Sequence, residues 1–171
     1  MQPYEVFLRR EFFSMSLQAA TQHVKVYAAG TNEGDRQEIR DHLRDLLEVI
    51  SAKYEVAVSE SDHVKNIQGI VNTLSRRHSG LLNTRRFPFS SAQKALNLYL
   101  KYLWCLQLIE MPPHCPVDAI VLKAAKAKSV KAWTRIESKE EYLSAISELK
   151  AAAGEKGLAE WELHAYNSSD A

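Results

Sequence analysis

The stretch SSAQKALNLYLKYLWCLQLIE, residues 90–110, decides the fold. Apolar side chains fall on nearly every side of its helical projection: Ala95, Leu96, Leu98, Tyr99, Leu100, Leu103, Trp104 and Leu106 among them. A helix that is apolar all round has no face left for water and belongs inside a protein. The spacing therefore predicts a buried central helix over about 91–109. Ser90 or Ser91 is placed to cap it, and Pro112 and Pro113 are placed to stop it. Just upstream, LLNTRRFPF (81–89) reads as a non-helical link, because Pro88 biases Phe87 towards extended geometry.

Working outward, the remaining segments also carry three-and-four apolar spacing. Residues 4–29 read as a first helix through Phe13, Leu17, Ala20, Val24 and Tyr27, and GTNEGD (30–35) breaks it. Residues 36–54 resume with Ile39, Leu43, Leu47 and Ile50. A third helix opens at the capping signal Ser59-x-x-Asp62 and closes near Gly80. Beyond the central helix, a short helix follows Pro116, and AWTRIE (132–137) is a connector. Ser138-x-x-Glu141 opens an amphipathic helix, and LAEWELHAY (158–166) makes a last one. The expected architecture is all-α: about seven helices in a single domain over 1–166, with a polar tail at 167–171.

Composition bounds the function. The chain has 171 residues, 46% apolar and 25% charged, which is ordinary for a globular domain. No apolar run is long enough for a membrane span, and the N-terminus lacks a secretory pattern. Two cysteines, Cys105 and Cys115, are too few for a disulfide framework and fit a reducing, cytoplasmic setting. The net charge of +1 hides a polarised chain. Residues 75–131 hold ten Lys/Arg against two Asp/Glu, while residues 1–74 and 132–171 carry net −3 and −4. Clustered lysine and arginine attract polyanions. The expected nucleic-acid contacts are Arg76, Arg77, Arg85, Arg86, Lys123, Lys126, Lys128 and Lys131. Phe87 and Phe89 are placed either to stack on bases or to plug the core.

The segment HCPVD, 114–118, carries the candidate chemistry, and four readings are open. Asp118 caps the helix that follows. His114 and Cys115 bind a metal, although no paired ligand spacing supports it. Cys115 is a nucleophile with His114, or another histidine brought in by the fold, as its base. Or Asp118 works with Lys94, each near the start of a helix: a partly desolvated lysine can attack a sugar carbon as an amine, and a carboxylate can stabilise the developing positive charge.

Together, SSAQKALNLYL and HCPVDAIVLKAA resemble the core of the helix-hairpin-helix DNA glycosylases, the superfamily that includes the 8-oxoguanine and adenine-mismatch glycosylases. The likeness covers about residues 87–125. It implies that Lys94 matches the catalytic lysine and Asp118 of Pro116-Val117-Asp118 the essential aspartate. It also implies base flipping and cleavage of an N-glycosidic bond in DNA repair; no metal or other cofactor is expected, because the sequence has no paired metal-ligand spacing. The family hairpin is glycine-rich, whereas this chain has no glycine between Gly80 and Gly154. Either the arginines and serines of RRFPFSSAQK grip phosphate instead, or there is no such hairpin. The alternative expectation is a non-enzymatic helical module that binds nucleic acid or an acidic protein partner through residues 76–131.

Overall fold

The computed structural model describes residues 2–169, and among these it contains seven α-helices and no strand. They are α1 (Pro3–Thr21), α2 (Glu33–Ser51), α3 (Glu60–His78), α4 (Phe89–Cys105), α5 (Ala119–Ala124), α6 (Lys139–Ala153) and α7 (Leu158–Ser169). Short 3₁₀ turns stand at Ala52–Glu55, Ser79–Leu81 and Trp133–Arg135. The fold is a single all-α domain around α4. Thirteen of the seventeen α4 residues are buried. α1 packs along α4, α3 and α2 cover further sides, and the Trp133–Arg135 turn closes another. No helix among the described residues is long and apolar enough to cross a membrane.

Both ends of α4 differ from the expected ones. The helix starts at Phe89 with Pro88 as its N-cap, in extended geometry at φ −62°, ψ 132°. The two serines are buried inside the first turn and serve as tertiary links. Ser90 N–H donates to the Ile136 carbonyl at 3.0 Å, and the Ser91 hydroxyl donates to the Ala20 carbonyl at 2.8 Å. At the other end the helix stops at Cys105, before the prolines. Gln107 adopts a left-handed φ of 59°, and Leu108 N–H reaches back to Leu103 O at 3.0 Å. This is a Schellman closure without glycine. It is held because Ile109 goes into the core and Glu110 N–H bonds Tyr54 O at 2.8 Å.

The first helix is also shorter than its apolar spacing suggests. It ends at Thr21, and residues 24–28 run extended beside 81–83. Tyr27 and Leu82 form an antiparallel bridge, with Ala28 N–H to Leu81 O and Asn83 N–H to Val26 O, both at 2.9 Å. The alternation in HVKVY, with Val26 buried, is strand-like, and backbone pairing with a distant segment outweighs the helical spacing.

The caps behave more simply. Asn32, Ser59 and Ser138 accept bonds from the amides of Asp35, Asp62 and Glu141. Gly80 is not a left-handed terminator of α3; the chain tightens there into the Ser79–Leu81 turn. At the C-terminus, α7 continues to Ser169, so residues 167–169 of the expected tail are helical. Residues 170–171 lie outside the described part. Phe87 and Phe89 are each 1% exposed, so both plug the core and neither is available to stack on a base.

Candidate nucleic-acid interface and a buried lysine–aspartate pair

The segment after α4 is built by one glutamine. Gln93 is fully buried. Its amide group donates to Val117 O at 2.8 Å and accepts from Val117 N–H at 3.1 Å. This bidentate clamp fixes the residue before Asp118 against the first turns of α4. Asp118 then caps α5: Oδ1 accepts from the amides of Ile120 at 2.9 Å and Val121 at 3.2 Å. Its other oxygen, Oδ2, stands 3.8 Å from Lys94 Nζ. The Lys94 ammonium also lies 4.1 Å from the centre of the Trp133 ring, within cation–π range. Lys94 is buried, and that burial lowers its pKa, while the Asp118 carboxylate opposes the shift.

The other readings of HCPVD meet different surroundings. Cys115 is buried, and desolvation pushes its thiol well above the usual value, the reverse of an activated nucleophile. His114 is fully buried, with Nδ1 at 3.0 Å from the Tyr142 hydroxyl. Burial lowers its pKa to about 3, with Lys150 adding to the shift. The ring of His63 stacks edge-on against it at 4.8 Å. His63 Nδ1 lies 2.7 Å from the Tyr54 hydroxyl, and its own pKa is likewise about 3, chiefly through burial. These histidines belong to an interior polar cluster. No group of three or more His, Cys, Asp or Glu among the described residues is arranged to hold a metal.

The basic block divides into distinct environments. Lys94 and Lys101 point inward from α4. Lys101 pairs with buried Glu162 of α7 at 2.9 Å and lies over the Tyr166 ring at 4.6 Å. Lys123, Lys126, Lys128 and Lys131 line one cleft of about 710 Å³, together with His23 and Trp133. Lys126 makes the cleft possible. It takes a left-handed φ of 53°, and Ala127 N–H closes onto Leu122 O at 3.0 Å. The chain therefore reverses after α5, and the rest of the lysine tract returns along it. Among the described residues lining this cleft there is no carboxylate.

Thr134 is shared with a second groove of about 440 Å³, which Arg86 and Lys25 line with Glu137. Arg76, Arg77 and Arg85 are exposed but line neither space. Arg77 lies instead near the paired rings of His42 and His78, where its charge helps lower both pKa values after burial has done most. The structure thus gathers four of the eight expected contacts into one cleft and sets Arg86 in its neighbour. Sequence reasoning missed Trp133 as a joint wall of the cleft and the Lys94 site. The available signal was its position directly after KAKSVKA.

The catalytic candidates Lys94 and Asp118 come together, but neither lines these two spaces. Trp133 stands between the Lys94 ammonium and the lysine cleft, touching the first and lining the second. No family model, curated protein or solved structure matches the chain.

Proposed function

We propose that this protein is a helical nucleic-acid-binding domain that grips the phosphodiester backbone of DNA. The observation that carries the reading is the lysine cleft: four lysines lining a space of about 710 Å³, without a lining carboxylate among the described residues. Such a surface neutralises phosphates and releases counterions, whatever the base sequence. With Phe87 and Phe89 buried, affinity rests on charge and stacking supplies little. The test is fluorescence anisotropy of a labelled duplex across a salt series. Each neutralised phosphate contributes about −0.9 to the logarithmic salt slope, and four lysines give a slope of about −3 to −4. Replacing Lys123, Lys126, Lys128 and Lys131 together by alanine removes that slope. Absence of binding by the wild-type protein at low salt overturns the reading.

One observation favours a second reading, glycosylase-type chemistry: a desolvated lysine lies 3.8 Å from a carboxylate. In it, Lys94 is the nucleophile, Asp118 stabilises the sugar cation, and Trp133 swings aside to admit a flipped nucleotide. Asp118→Asn then abolishes base release from damaged duplexes and leaves binding intact. Base release that persists in this variant removes the mechanism.

A further inference from the structure

A carboxylate from the chain itself already occupies an anion site on the loop that forms the lysine cleft. Glu148 projects from α6 towards residues 128 and 129. Lys128 N–H donates to both of its carboxylate oxygens at 3.0 Å. Ser129 N–H donates to Oε2 at 3.0 Å, and the Ser129 hydroxyl to the same oxygen at 2.6 Å. Two consecutive backbone amides and a hydroxyl converging on one oxyanion form a donor set that suits phosphate as well as carboxylate. The charge of the bound carboxylate is sustained, since these bonds, the Ser129 hydroxyl first, hold its pKa below the usual value. The flanking residues Lys126, Lys128 and Lys131 all line the cleft. The loop that lines the cleft with lysines therefore also carries backbone donors at Lys128 and Ser129, and those donors are filled by Glu148.

We propose that Glu148 is a built-in competitor for nucleic-acid phosphate: its carboxylate holds the Lys128–Ser129 donors, and a backbone phosphate arriving at the lysine cleft takes them in its place. This rests on the cleft reading above and adds a regulatory contact to it. A competitor and a simple brace make opposite predictions. A brace, when removed, loosens the loop and weakens binding. A competitor, when removed, frees its amide and hydroxyl donors for one more phosphate contact, so binding tightens.

The experiment measures anisotropy of the same labelled duplex with the wild-type protein, Glu148→Ala, Glu148→Gln and Glu140→Ala. Glu140 is an exposed acid on the same helix, so its removal changes net charge equally without touching the loop. The expected result is binding by Glu148→Ala that is about fivefold tighter or more, the lower end of a typical coupling between sites. Glu148→Gln falls between wild type and alanine, and Glu140→Ala stays within about twofold of wild type. Unchanged or weaker binding by Glu148→Ala, with the wild type still binding, overturns the competitor and leaves the cleft reading standing. Equal tightening by Glu140→Ala also overturns it, because net charge then explains the effect. Failure of every protein to bind at low salt overturns both.

Discussion

Two groups of lysines in this chain meet opposite fates. Lys94 and Lys101, two turns apart on α4, are buried, and each faces one carboxylate and one aromatic ring. Lys123, Lys126, Lys128 and Lys131, packed into nine residues, stand around an open cleft. In the sequence both groups belong to one basic block. In the fold, the first group is neutralised internally and only the second presents charge outward. Linear charge density therefore overstates surface charge wherever a basic residue falls on a helix that is otherwise apolar.

The largest effect that would sharpen this contrast comes from breaking a buried pair. Glu162→Ala leaves Lys101 desolvated without its partner and is expected to cost about 3–5 kcal/mol. The double variant Lys101→Met/Glu162→Leu is expected to recover most of that loss. Urea unfolding of the three proteins checks both. If Glu162→Ala is nearly neutral, Lys101 reaches water and the contrast fails.

Acid probes the interior next. His63 and His114 titrate at about 3 in the folded protein, against 6.5 for an ordinary histidine. The unfolded chain therefore takes up protons that the folded chain refuses. Their contribution is full above pH 6.5 and is lost as pH falls from there towards 3, with a slope approaching two protons, about 2.7 kcal/mol per pH unit. Chemical unfolding at stepped pH reads this slope. A stability that stays level between pH 6.5 and 4 contradicts the burial of the two rings. Asp118 combines both kinds of contact: Asp118→Ala is expected to cost about 1–2 kcal/mol for the lost cap and more for leaving buried Lys94 without its carboxylate, whereas Asp118→Asn, which retains the capping oxygen, loses only the second part. The smallest effect falls on the cleft. Each lysine-to-alanine change there is expected to alter stability within about 0.5 kcal/mol while reducing the salt slope of DNA binding.

What was legible in the sequence was what local chemistry decides. The α4 helix could be read because no side of it suits water, and Ser59 and Ser138 could be read because a hydroxyl before a free amide has one obvious use. The misreadings share a different cause. Val24 to Tyr27 have helical spacing, yet they pair with residues 81–83, which lie beyond two intervening helices. Gln107 ends α4 in a conformation usually left to glycine, because Ile109 and Glu110 are claimed by the core and by Tyr54. Ser90 and Ser91 look like caps but bond to Ile136 and Ala20. In each case the decisive partner is far away in the chain. The same holds for the site. The types of Lys94 and Asp118 are visible in sequence, but their approach depends on the Gln93 clamp, and the wall between them and the cleft depends on Trp133.

The bond from Ser91 to the Ala20 carbonyl joins residues 71 positions apart, and the Tyr27–Leu82 bridge closes much the same loop. Its consequence concerns time. Most helical bundles assemble from neighbouring helices and fold quickly, because their contacts are local. Here the central helix gains its principal partner, α1, only after a loop containing all of α2 and α3 has closed, and the entropy of that closure must be met before the contact is made. The α2–α3 unit can form early, while α4, buried over most of its length in the finished fold, waits longest for its main cover. Refolding slower than that of a bundle with local contacts is the result, with α4 exposed in the interval.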